Sequence, residues 1–272
     1  MIDFARVQRL VERLQAHAQQ PLPANLVPLA TEKVQIGLAQ PAVARFIAQH
    51  VRGFEWTQDV LTMSCAVGDF DSLTALLAEA ATRLREAGMI RGWRGEKLAV
   101  GNPALATIER AACRPLGITT EAVHLNAYVA ADALIVARRS ALKQIDPDLW
   151  DNLVGGMVAA HETLNEALER EAWEEAGLRL ECCTSLTPGR SFKMHRLVPE
   201  GLQSEIIHVY DAVLQNGQSL INQDGEVAAI ERRSIDQVVD AIESDQFTLE
   251  SALTTLESLT RGDTSIATTL FR

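Results

Sequence analysis

Apolar residues recur along the first segment of the chain at helical intervals. Phe4, Val7, Leu10, Val11 and Leu14 share one face of a helix over residues 3–19, and Pro21 with Pro23 ends the pattern. Polar residues fill the remaining positions, so the helix is expected to lie at the surface with one packed face. LVPLA at 26–30 and VQIGLA at 34–39 read as short strands around a turn, and Pro41 suits the first position of a helix through His50. The β-leaning run VLTMSCAV falls within 57–67. Asp71 or Ser72 can cap the helix LTALLAEAATRLREAG, which Gly88 closes. Residues 91–96 read as a loop into a strand at 97–100, and Pro103 precedes an expected helix, ALATIERAACRPLG.

The pattern shifts at about residue 119. HLNAYVA and ALIVARRS read as paired strands around a tight turn at Ala131-Asp132, with LRLECC, SEIIHVYDAVL and EVAAIERRS as further strands. Asn216-Gly217 is the strongest hairpin signal in the chain. Ser234 and Asp236 open the helix IDQVVDAIE, and a last helix over about 248–260 ends at Arg261-Gly262. Strands flanked by helices predict an α/β sandwich over 119–272, behind an α+β domain over 1–118 that has no catalytic motif of its own. No linker or repeat separates the two parts, so they are expected to pack closely.

Between these strands lies GMVAAHETLNEALEREAWEEAGL, residues 156–178, expected as a loop to Glu162, a helix through Ala176 and a stop at Gly177. Glu171, Glu174 and Glu175 stand at i, i+3 and i+4, on one helix face within about a turn. Like charges so placed repel and require a compensating cation. Carboxylate oxygens are hard ligands, and with room for phosphate oxygens they suit Mg²⁺ or Mn²⁺.

The register of Gly156, five residues, Glu162, seven residues, then Arg170-Glu171-Ala172-x-Glu174-Glu175-x-Gly177-Leu178 resembles the Nudix box of Mg²⁺-dependent diphosphate hydrolases. Seven such identities arise by chance on the order of 10⁻⁸ or less per start point. Ala172 departs from the bulkier apolar residue usual there. The resemblance implies a Nudix α/β/α sandwich with an additional N-terminal α+β domain. It implies catalytic roles for Glu171, Glu174, Glu175 and Arg170, and a metal held by the three glutamates with the Gly156 carbonyl. Arg170 would fix carboxylate orientation by binding Glu162 or Glu174, and Glu162 could itself be a ligand or contact water. Glu226 is the candidate for a general base from a later loop, with Glu205 a weaker one; a solvent-exposed strand start is the plain alternative for Glu226.

A second resemblance spans nearly the whole chain. Arg91-Gly92-Trp93-Arg94-Gly95-Glu96, Ile108-Glu109-Arg110-Ala111, Val123 to Val129, Trp150 to Val154, Asp224 to Val227 and Phe247 to Glu250 look like Nudix proteins related to the N-terminal part of fungal thiamine pyrophosphokinases. That likeness implies conversion of thiamine diphosphate, or its oxidised analogues, to the monophosphate. Gly95 stands where the group carries an apolar or amide residue. Such a ligand wants an aromatic platform beside the metal. Trp150, six residues before Gly156, and Trp93 are the candidates, against core or interdomain packing for each. Arg190, with Lys193, His195 and Arg196 in an expected basic loop, could contact a phosphate.

Composition narrows the partners. A net charge of −11 without a basic stripe argues against nucleic acid but not against a phosphorylated small molecule, since a bound cation reverses the local sign. No run approaches a membrane span, and the N-terminus lacks the apolar stretch of a signal peptide. Cys65, Cys113, Cys182 and Cys183 show no metal-ligand spacing, which favours thiols in a reducing cytoplasm. The expected partner is a small-molecule diphosphate, and a homodimer is admitted. Rival readings are a hydrolase of nucleoside diphosphate sugars, dinucleotides or oxidised nucleotides, and a non-catalytic nucleotide-sensing module, which would usually have lost the box glutamates.

Overall fold

The computed structural model describes residues 3–65, 68–143, 145–215 and 217–261. Two apolar cores organise it. The first is built on a four-stranded sheet, β1 (Val27–Ala30), β2 (Gln35–Ala39), β3 (Phe54–Thr57) and β4 (Val60–Met63), in the order β2-β1-β4-β3. Helices α2 (Pro41–His50) and α3 (Phe70–Glu86) pack Val43, Ile47, Leu73, Leu77 and Leu84 onto it. The hairpin β5 (Lys97–Val100) and β6 (Ala106–Glu109), with the short helix α4 (Arg110–Leu116), completes this N-terminal unit. The single helix expected after Pro103 is thus a strand followed by one turn-rich helix. Ile108 and its neighbours pair with β5, and that ladder overrides the local helical preference.

The second core surrounds an eight-stranded mixed sheet. Its path runs β11 (Cys183–Pro188), β13 (Gly201–Leu214), β7 (Thr120–Ala130), β8 (Ala133–Arg139), β14 (Val227–Ser234). Strands β9 (Trp150–Asn152), β10 (Val154–Met157) and β12 (Phe192–Val198) attach to β8, β7 and β13. Helix α5 (Leu164–Ala176) covers one face through Ala167, Leu168, Ala172 and Ala176. On the other face lie α6 (Ile235–Glu243), α7 (Leu249–Thr260) and, from the far end of the chain, α1 (Phe4–Ala18). The arrangement is an α/β/α sandwich with an additional N-terminal unit.

Helix α1 buries Val7, Leu10, Val11 and Leu14 in the sandwich core, and Arg6 reaches Asp240 at 2.7 Å and Glu243 at 2.5 Å on α6. Each large side chain so buried contributes roughly 1.5–3 kcal/mol gross. Helix α1 thus precedes the N-terminal unit in sequence and packs with the sandwich.

Three further expectations shift. LRLECC is a 3₁₀ turn over Leu180–Cys182 leading into β11. Asn216 lies outside the described residues, and no hairpin joins β13 to β14, which sit apart in the sheet with β14 paired to β8. The basic loop at 190–196 is largely strand β12, paired to β13 from Phe192 to Val198.

Candidate active site

Helix α5 begins in a capping box. The Thr163 hydroxyl accepts from the Glu166 N–H, and the Glu166 carboxylate accepts from the Thr163 N–H at 2.8 Å. The helix ends at Gly177, whose φ of 60° is the left-handed cap that favours glycine. Between these stops, the apolar face faces the sheet and the glutamates project past its edge toward β10.

Gly156 and Glu171 meet there. A Cβ built on Gly156 would stand 1.9 Å from the Glu171 carboxyl carbon, so only glycine leaves room for that side chain. Arg170 ties the acidic groups together. Its Nε and Nη2 donate to Glu162 Oε1 at 2.6 Å and Oε2 at 2.8 Å, a bidentate pair. Its Nη1 donates to Glu171 Oε1 at 2.8 Å and Glu174 Oε2 at 3.1 Å, and Nη2 also reaches the Met157 carbonyl. Glu175 turns to the sheet, where Oε2 accepts from the Gly155 N–H at 2.8 Å and Lys143 Nζ stands 3.8 Å from Oε1.

Burial pushes the Glu171 carboxyl up, and Arg170 only partly offsets this; burial and the neighbouring Glu171 push Glu175 well above the usual carboxylate range. Glu162 goes the other way, held down by the hydrogen bonds from Arg170. Among the described residues, no three His, Cys, Asp or Glu side chains are gathered as a ready-made metal shell. Arg170 stands between Glu171 and Glu174, and Glu175 is engaged with Gly155 and Lys143. The donor set nevertheless fits a hard divalent cation: buried carboxylates of raised pKa beside a glycine that a Cβ would block. Such an ion would take over charge that Arg170 and Lys143 now balance.

These residues open onto a cavity of about 820 Å³ between the sandwich and the N-terminal unit. Gly155, Gly156, Arg170, Glu171, Glu174 and Glu175 form its sandwich side. The opposite wall comes from residues 88–118, and the floor includes Thr120, Gln203, Ser204 and Glu205. Glu205 is buried, accepts from Thr120 Oγ1 at 3.1 Å, and is pushed up by burial and then by Glu250.

Glu226 also lines the cavity, held from two sides. Arg94 Nη1 lies 3.1 Å from Oε1, and Lys143 Nζ bonds Oε2. Burial alone would raise its pKa, but Lys143 and Arg94 outweigh it and the pKa is lowered. A carboxylate so held is a poor proton acceptor. These ion pairs join Arg94 of the N-terminal unit to Lys143 through the loop ahead of β14.

Three expected substrate contacts stand elsewhere. Trp150 is 7% exposed inside the sandwich core, with the Arg233 guanidinium 3.6 Å from its ring centroid. Proximity to the box in sequence does not carry into space, because the β9 backbone pairs it with the stretch before α7. Trp93 packs on the N-terminal core under Arg85, 4.7 Å away, and Arg190 donates its backbone N–H to Glu257 at 3.2 Å. None of the three lines the cavity. The site residues missed from sequence are Arg110 and Lys143, since nothing local to them signals a site that tertiary packing assembles; Glu205, the weaker base candidate, lies at the cavity floor.

Comparison with known proteins agrees with this geometry. A family model described as the NUDIX domain matches residues 120–252. Residues 120–252 are thus similar to a NUDIX domain. Within that stretch Glu171, Glu174 and Glu175 stand at the cavity wall, while Glu162 is bound to Arg170. A second model, described as a domain of unknown function (DUF4743), matches residues 6–120. Among relatives, the Saccharomyces cerevisiae protein YJR142W, described as uncharacterized, is 27% identical over 215 residues, covering 71% of this chain and 63% of that protein. Nudix hydrolase 24, chloroplastic, of Arabidopsis thaliana is 25% identical over 236 residues, covering 84% of this chain and 65% of its own. The chain thus spans less than two thirds of the length of either relative. The crystal structure of DR0079 from Deinococcus radiodurans overlaps 56% of this chain and 91% of its own at 22% identity and a TM-score of 0.45.

Proposed function

We propose that the chain is a Nudix hydrolase that cleaves the diphosphate bond of a small molecule, with thiamine diphosphate or its oxidised analogues converted to the monophosphate as the substrate reading. The supporting observation is the cavity of about 820 Å³ walled by Gly156, Glu171, Glu174 and Glu175. Its size is that of a small-molecule site. Glu171, Glu174 and Glu175 with the Gly156 carbonyl would hold Mg²⁺, or Mn²⁺ in its place. Such an ion supplies neutralisation of the diphosphate and acidification of a water.

The chain's own residues supply position. Hydrolysis adds water across the P–O–P bridge: one phosphorus gains the water oxygen, and the bridging oxygen leaves with the other phosphate. Arg170 holds Glu171 and Glu174 in place through one guanidinium, itself fixed by Glu162. Glu205, buried at the cavity floor, offers an acceptor to hydrogen-bond donors on the organic part of the substrate. Among the described residues no disulfide joins the four cysteines and no helix is long and apolar enough to cross a membrane.

The substrate reading is tested by a metal-dependent panel of thiamine diphosphate, oxothiamine diphosphate, nucleoside diphosphate sugars and dinucleotides. The expected outcome is highest kcat/KM on a thiamine-type diphosphate, with monophosphate and orthophosphate as products. Strong preference for a nucleotide sugar or dinucleotide would overturn the substrate and leave the reaction class standing.

A further inference from the structure

The wall opposite the Nudix box runs against the charge of the chain. The protein carries a net charge of −11, yet the N-terminal unit presents Arg91, Arg94, Arg110 and Arg114 to the cavity with Glu96 as the one carboxylate among them. Three of these arginines have protein partners. Arg94 is engaged with Glu226, Arg114 lies 3.6 Å from Glu200, and Arg110 Nη1 donates to Glu96 at 2.8 Å. Arg91 is exposed and forms no ion pair among the described residues.

Arg110 differs from the others in how it is held. It opens α4 where the β5-β6 hairpin closes, and its backbone N–H donates to the Glu96 carbonyl at 2.9 Å. Glu96 therefore anchors both its backbone and one corner of its guanidinium. Its Nε and Nη2 form no hydrogen bond among the described residues, and the side chain lines the cavity. Burial works to lower its pKa, but Glu96, then Glu205 and Glu171, outweigh it and keep the group charged. Glu171 belongs to the box and Glu205 to the floor, and both line the same cavity as Arg110. A fixed, charged fork with two unused donor edges is built to take an oxyanion.

We propose that Arg110, supplied by the N-terminal unit, grips the terminal phosphate of the substrate and so selects diphosphate monoesters over diphosphate diesters. The proposal rests on the hydrolase reading above. A monoester ends in a phosphate with three non-bridging oxygens and close to one more negative charge than the same phosphate when esterified. A diester places a neutral organic group against the arginine wall, where the Nε and Nη2 edges of Arg110 gain no anionic acceptor. The N-terminal unit thereby acts as half of the site: the box engages the scissile bridge, and Arg110 measures what lies beyond it.

The test uses matched ligands, thiamine diphosphate and ADP, each with its terminal methyl ester. Wild-type protein is expected to favour each monoester by about tenfold or more in kcat/KM. Arg110→Gln is expected to lose about tenfold or more on the monoesters, mainly through KM, and little on the esters, while Arg110→Lys recovers part of the loss. Calorimetric titration of the Mg²⁺-loaded protein with the α,β-methylene analogue of each monoester reads the same contact without turnover. The wild-type monoester preference is also measurable whether or not either variant folds. Equal losses on monoester and ester, or no preference in the wild type, would overturn the proposal. Failure of the hydrolase reading is distinct: no ligand would then be cleaved, whereas the titration would still report on Arg110.

Discussion

At the scale of single residues, the site depends on where a carboxylate is allowed to lie. Glu171 occupies the space that a side chain at position 156 would take, the nearest approach being 1.9 Å. Because the obstructing atoms are the end of a flexible side chain, Gly156→Ala is expected to fold with a stability change of about 1 kcal/mol or less, while activity falls at least tenfold. Thermal melting and steady-state rates read the two effects separately. Glu205 shows burial from the opposite side. Its folded pKa is raised, so the folded protein holds this proton more tightly than the unfolded chain, and the resulting stability is complete only below the unfolded carboxylate pKa of about 4.3. Stability is lost as pH rises through the folded pKa. Glu205→Gln is therefore expected to melt higher than wild type at pH 7.5, with the gap closing toward pH 4. A gap that widened in acid would contradict this. The box residues were legible in sequence because their geometry is local to one helix and one glycine. Trp150 was not, since its ring is placed by pairing with residues near 247, about a hundred positions away.

At the scale of elements, the clearest predictions came where a helix start signal and an apolar face coincide. Pro41–His50 and the helix opened by Ser234 have both, and α5 has a capping box and a glycine cap. Thr163→Ala removes the acceptor for the Glu166 N–H, so a loss of about 1 kcal/mol in stability is expected from denaturant melts. Elements whose identity depends on a distant partner were misread. β6 looks helical until β5 pairs with it, and β12 looks like a basic loop until β13 does. Asn216-Gly217 carries hairpin chemistry, yet the strands on either side belong to different positions in the sheet.

At the scale of the whole molecule, the chain closes on itself. Helix α1 leaves its neighbours in sequence to seal the far face of the sandwich, and the N-terminal unit between forms the roof of the cavity. Sequence reading placed two close-packed parts and offered Trp93 of the first as a wall of the site, but did not single out the arginines of that part that line it. Arg94, Glu226 and Lys143 join roof to sandwich at its edge. If Glu226 fastens rather than accepts a proton, Glu226→Gln should retain kcat within several-fold, whereas loss of a general base typically costs about 10² to 10⁴. The rate at saturating substrate decides between them.

The account rests on buried carboxylates made tolerable by a divalent ion that also engages a diphosphate. Its most direct test is phosphate release from a diphosphate panel by the wild-type chain and by Glu174→Gln, with and without Mg²⁺. The account predicts release only with metal and a loss of about 10² or more in the variant, at unchanged melting temperature. Metal-independent release, or a folded Glu174→Gln protein working at the wild-type rate, would contradict it.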